Sequence, residues 1–149
     1  MPSSRVAQLW RYLVAPAGAD ARHAERTAAL LRAAGADEEL VLAGLLHDRA
    51  KPADARLWHR VAATLLEETS SSSAPAARWA ERWAPRVRAR LAKGDGTFAR
   101  YLDHAARGAA LALAEGRSAR VVRLIARHHE PPADEDERRL AEADRLALP

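Results

Sequence analysis

The sequence predicts an all-α fold, a single compact bundle of about seven to eight helices, on three observations. Alanine, leucine and arginine dominate its 149 residues, while aromatic residues amount to 5%; that composition favours helices over strands. Glycine and proline fall mostly between segments in which apolar residues recur every three to four positions. One core suffices at this length, burying about two-thirds of the surface that the unfolded chain would expose.

The elements follow in order. A first helix runs from Ser4 to Val14 and is stopped by Pro16 and Gly18. Asp20 is a good N-cap for a second, which ends before Gly35. Asp37 caps a third, with Leu40, Ala43, Leu46 and His47 on one face, and Pro52 ends it. A fourth covers residues 53–67. Residues 69–75, rich in serine, form the expected flexible loop. Between residues 76 and 93 the spacing of Trp79, Trp83, Val87 and Leu91 makes an apolar stripe, with Pro85 either kinking the helix or starting a new one. Gly94-Asp95-Gly96 is a turn. Thr97 caps a helix reaching Glu115, and Ser118 caps another reaching His129, where Pro131-Pro132 stops it. The last helix opens on Asp134, Glu135, Asp136 and Glu137, acids suited to the positive end of a helix dipole, and reaches Ala147.

Composition also removes whole classes of chemistry. With no cysteine in the chain, thiolate zinc sites, iron–sulfur clusters, disulfides and a cysteine nucleophile are excluded. Any metal must sit on His, Asp or Glu. Arg11 interrupts what would be the apolar region of a leader, and the longest apolar run is too short for a membrane. A cytoplasmic protein is expected, without a membrane partner. The net charge is +4 and comes almost wholly from arginine, because Lys51 and Lys93 are the two lysines present. Such an excess suits anionic ligands, but nucleic acid is not the expected partner.

Five of the six histidines and one late aspartate fall on apolar helix faces. His23 leads Thr27, Leu30 and Ala34 at spacings of four, seven and eleven. His47-Asp48 closes the third helix behind Leu40 and Ala43. His104 lies one turn after Tyr101 and one before Gly108, a glycine that allows close approach of another segment. His128 and His129 follow Val121, Leu124 and Ile125 at helical spacing. Asp144 lies four residues after Leu140 and four before Leu148. Each has a bland reading as a satisfied interior side chain. Taken together, those readings leave several imidazoles and carboxylates desolvated without partners. A metal satisfies all of them, and five to seven imidazole and carboxylate ligands suggest two divalent ions such as manganese, iron, cobalt or zinc. Two ions about 3.5–4 Å apart suit phosphoryl chemistry.

His23, the doublet His47-Asp48 and the distant Asp144 resemble the H…HD…D signature of the HD superfamily of metal-dependent phosphohydrolases. Leu45-Leu46-His47-Asp48-Arg49-Ala50-Lys51 is similar to that family's LLHDxxK core. Tyr101-Leu102-Asp103-His104 and Leu124-Ile125-Ala126-Arg127-His128-His129-Glu130 resemble the extra histidine positions of the two-metal HD-GYP subfamily. The likeness covers about residues 20–146, within a single HD domain over 1–149 whose residues 1–18 form an N-terminal helix and turn. It implies His23, His47, Asp48 and Asp144 as ligands of one ion, with Asp48 bridging to a second held by His104 and His128, and His129 as a further ligand. It implies Asp48 and Lys51 as catalytic residues, with Lys51 on a substrate phosphate oxygen. Arg22 or Arg127, beside ligands, either adds a bidentate phosphate contact or is solvated surface. Arg49 and Ala50 depart from the aliphatic residue and glycine of many relatives, and no GYP-like segment follows His129. Both departures argue against cyclic di-GMP as substrate, and Arg49 either reaches the phosphate or closes the pocket.

The function expected is hydrolysis of a nucleotide or similar small phosphate ester by a metal-activated hydroxide, in a monomer or homodimer. Two alternatives stay open: a degenerate HD module that binds a nucleotide as a sensor without turnover, and an HD-type di-iron oxygenase. His59 matches no ligand position and is expected at the surface. Trp79 and Trp83 read as core rather than a base-stacking platform, and Arg78, Arg82 and Arg86 as a solvated face.

Overall fold

A computed structural model describes residues 19–53, 55, 59, 62–63 and 86–147. The fold is all-α, with no strand among the described residues. Six helices are bounded within them: α1 Ala19–Ala33, α2 Glu38–Leu46, α3 Thr97–Leu102, α4 His104–Ala114, α5 Ala119–Arg127 and α6 Glu135–Leu146. The helix and turn expected over residues 1–18, most of the helix expected over 53–67, the loop 69–75, Arg78, Arg82, Trp79, Trp83 and Leu148 lie outside the described residues.

The chain divides into two compact units, one containing Val14–Ala50 and His104–Pro149, the other Lys51–Asp103. In the first, α1 packs on α2 and α6, α2 on α5 and α6, α4 on α5, and α5 on α6. Leu31, Leu40, Val121, Leu124, Ile125 and Leu140 fill its centre almost without exposure. Burial of each such side chain contributes about 1.5–3 kcal/mol.

Local chemistry explains the ends of these helices. The Asp37 carboxylate accepts the Leu40 N–H at 3.0 Å and Ser118 Oγ accepts that of Val121 at 3.3 Å, so these two sequence-assigned caps are in place, and Asp134, expected only as a helix-dipole acid, caps α6 by accepting the Glu137 N–H at 2.9 Å. Asp20 is not a cap; it lies inside α1. The buried row of α1 is His23, Thr27 and Leu31, with Ala28 beside it, whereas Leu30 is 37% exposed and Ala34 is exposed. The packed row follows the i, i+4, i+8 ridge, which is inclined to the helix axis, so the contact face drifts from the i+7 position.

The helix expected from Thr97 to Glu115 is two. Gly96 is the N-cap of α3, and Asp103 closes it at φ −104° and ψ 12° with its N–H on Ala99 O, so that His104 opens α4. Aspartate is a poor interior helix residue because its side chain competes for backbone groups. In the second unit, Ala63, Tyr101 and Leu102 are buried, with Ala55, Ala92 and Phe98 packed on them. His59, expected at the surface, is 5% exposed, its ring centroid 5.8 Å from that of Phe98; an aromatic neighbour shelters an imidazole that single-residue exposure preferences place outside. Residues 86–91 are helical, but Val87 and Leu91 are 41% and 42% exposed, so the stripe is not buried at its C-terminal end.

Candidate metal centre

Two helices of the first unit end in the same device. His47 is the C-cap of α2, and its Nδ1–H donates to Gly44 O at 2.7 Å. His128 is the C-cap of α5, and its Nδ1–H donates to Ile125 O at 2.7 Å. A carbonyl only accepts, so in the neutral ring Nδ1 carries the proton and Nε2 presents a lone pair. Each time the next residue, Asp48 or His129, is a further donor atom for a cation.

Close backbone approach brings the other ligands in. A Cβ on Gly44 would lie 2.5 Å from Leu31 Cδ1 and 3.7 Å from Ala28 Cα, so this glycine leaves room for the Leu31 side chain where α1 packs on α2; the His23 and His47 ring centroids are 5.5 Å apart. A Cβ on Gly108 would lie 3.2 Å from Ile125 Cγ2 and 3.7 Å from His47 O, so this glycine seats α4 against α5 and the turn after α2.

Two groups of donors result. The first is His23, His47 and Asp144; the second is Asp48, His104, His128 and His129; within each, the donor atoms lie within 4.8 Å of one another. In the first, Asp144 Oδ1 is 2.7 Å from His23 Nε2 and 3.0 Å from His47 Nε2. In the second, His104 Nε2 is 3.2 Å from His128 Nε2 and 3.0 Å from His129 Nε2. Asp48 divides its carboxylate between them. Its Oδ1 is 3.1 Å from His104 Nε2 and 3.6 Å from His128 Nε2; its Oδ2 is 3.5 Å from His47 Nε2 and 3.8 Å from His23 Nε2.

These donors fit a divalent cation better than they fit one another. A proton on His104 Nε2 serves one acceptor at a time, and the fixed tautomer of His128 offers it only a lone pair. Three Nε2 atoms and a carboxylate oxygen then face one another with too few protons, an arrangement that a cation accepting four lone pairs relieves. Buried His/Asp groups here could therefore bind metal, at as many as two positions. Electrostatics favour the ionised carboxylate. Burial opposes it, yet the His23 hydrogen bond, with the His47 ring beside it, holds the Asp144 carboxyl well below the usual carboxylate range.

The structure thus gathers His23, His47, Asp48, His104, His128, His129 and Asp144. Among them His129 is exposed, whereas His23, His47, Asp48 and His104 are buried. His59 belongs to neither group. The side chains expected at a substrate phosphate have partners or exposures of their own. Arg49 is exposed and grips Glu115 with both guanidinium nitrogens, Nη1 at 2.9 Å from Oε2. Arg127 pairs with Glu130 at 2.6 Å and Glu137 at 3.0 Å. Arg22 is exposed. Lys51 Nζ lies 5.8 Å from the Tyr101 ring centroid, within reach of a cation–π contact.

Sequence reasoning missed Glu137, a buried carboxylate in the first turn of α6. Its signal is present: Asp134 and Glu137 have the spacing of a capping box, in which the acid reaches back to backbone before the helix. Here it accepts the Ala133 N–H at 2.8 Å. No protein-family description, curated protein or solved structure matches the chain.

Proposed function

We propose that the chain is a metal-dependent phosphohydrolase of the HD type, acting on a nucleotide or similar small phosphate ester with two divalent transition ions. The observation that carries the reading is Asp48, a buried carboxylate whose two oxygens each face a different set of imidazoles. Divalent ions at such positions lower the pKa of bound water and draw charge from phosphoryl oxygens.

The chain's own residues supply the rest. His23, His47 and Asp144 would hold one ion; His104, His128 and His129 the other; Asp48 would orient both. The carbonyls of Gly44 and Ile125 fix the rings of His47 and His128, so their lone pairs need no reorientation on loading. Arg49 and Arg127 are engaged by acids of the same unit, which leaves the exposed Arg22 as the guanidinium beside a ligand. Lys51 is assigned to a phosphate oxygen by its likeness to the lysine of the LLHDxxK core, where it would stabilise charge in the transition state.

The test is a phosphate-release screen over nucleotides after the chain is stripped and reloaded with manganese, iron, cobalt or zinc. Turnover that requires metal, and that falls far more than metal content in Lys51→Ala, is the expected result. Full metal loading with no hydrolysis of any ester would leave a binding module. Iron-dependent oxygen uptake would leave an oxygenase.

A further inference from the structure

Glu137 is a carboxylate for which the metal centre described above has no use, and it is buried at 6% exposure. Its Oε1 accepts from Arg123 Nη1 at 2.8 Å and Arg127 Nε at 3.0 Å, and its Oε2 from the Ala133 N–H at 2.8 Å. Arg127 is the last residue of α5 and directly precedes His128 and His129. Ala133 follows Pro131-Pro132 on the far side of those histidines. One buried carboxylate therefore grips the chain on both sides of the segment 128–132, whose Glu130 N–H closes the turn on Arg127 O at 2.8 Å. The Ala133 N–H, and after it Arg127, hold the Glu137 carboxyl below its usual range against the opposing effect of burial, so it stays an acceptor at neutral pH.

We propose that Glu137 is a positioning residue for the four-donor group: by clamping Arg127 and Ala133 it fixes the turn that aims His128 and His129 at His104. The inference rests on the reading of that group as a metal site. His129 is exposed, with its ring centroid 4.0 Å from that of His128 and 4.9 Å from that of His104, so the course of the turn sets where it sits. His128 has the Ile125 carbonyl for its ring, but that carbonyl belongs to the same helix end that Arg127 anchors.

The test uses the full chain, stripped and then titrated with cobalt(II), read by visible absorption and by metal content at equilibrium. Wild type should take two ions. In Glu137→Ala the affinity of one of them should fall about 10- to 100-fold, the cost usual for losing an outer-layer partner of a metal ligand, and the residual spectrum should match that of His128→Ala. Glu137→Gln keeps an acceptor for Ala133 and loses the charge, so its loss should be smaller. Arg120→Ala removes an ion-pair hub at the opposite end of α5, to Asp37 and Asp136, and should lower the melting temperature with both cobalt steps intact. Equal weakening of both steps in Glu137→Ala, or wild-type titration of that variant, would overturn the clamp while leaving the two-metal reading standing. A wild-type chain that binds no cobalt would overturn both.

Discussion

The two donor groups of the first unit are built in opposite ways. His23, His47 and Asp144 come from three helices far apart in sequence, and one oxygen of Asp144 lies 2.7 Å from His23 Nε2 and 3.0 Å from His47 Nε2. The second group draws three of its four donors from helix ends, α4 at His104 and α5 at His128 and His129, and sets three rings around one oxygen of Asp48. In the first group His23 can donate to Asp144 without an ion; in the second, the carboxylate oxygen of Asp48 and the lone pair of His128 compete for a proton on His104. The first group thus has an internal hydrogen bond, and the second, under the proposals above, gains its order from a bound cation and from the clamp at Glu137. A chelator should empty the second group before the first.

Asp48→Ala is the largest expected effect, because it removes the one side chain common to both groups. Metal content should fall to near zero and phosphate release should vanish while circular dichroism stays helical. Retained turnover with full metal would break the comparison at its centre. Next is His128→Ala, which should halve the metal content; loss of both ions would mean that the groups are one site.

The two glycines divide the groups more gently. Gly44→Ala forces a Cβ within 2.5 Å of Leu31 and presses α1 from α2, costing about 1–3 kcal/mol as overpacking does. It should weaken the group that contains His23. Gly108→Ala meets Ile125 at 3.2 Å, should cost less in thermal unfolding, and should weaken the group that contains His104.

The smallest effect lies outside both groups. Arg120, by its hydrogen bond, holds the Asp37 carboxyl below the usual range. A depressed carboxyl pKa contributes stability above its unfolded value and loses it as pH falls through the lower folded value. The stability gap between wild type and Arg120→Ala should thus be constant near neutrality and close in acid below about pH 4. A gap that widens in acid would reverse the assigned sign.

What the sequence revealed was set by periodicity. Leu40, Ala43, Val121, Leu124 and Ile125 place His47 and His128 on their buried faces, and helical spacing alone put both there. The caps at Asp37 and Ser118 were legible because capping is a local event. Features that depend on tertiary contact were not. The break at Asp103, the burial of His59 beside Phe98, the choice of Leu31 over Leu30 and the engagement of Arg49 by Glu115 each require knowing which segments meet. Glu137 read as a helix-dipole acid: its capping-box spacing from Asp134 points to the backbone contact, but nothing local shows that two arginines converge on it.

Anomalous scattering at the edge of the loaded metal, in crystals of the full chain, tests the central claim most directly. The account predicts two peaks per chain, one on each side of Asp48, with one carboxylate oxygen facing each. No peak at these histidines, or a single ion with Asp48 turned away from it, would contradict it.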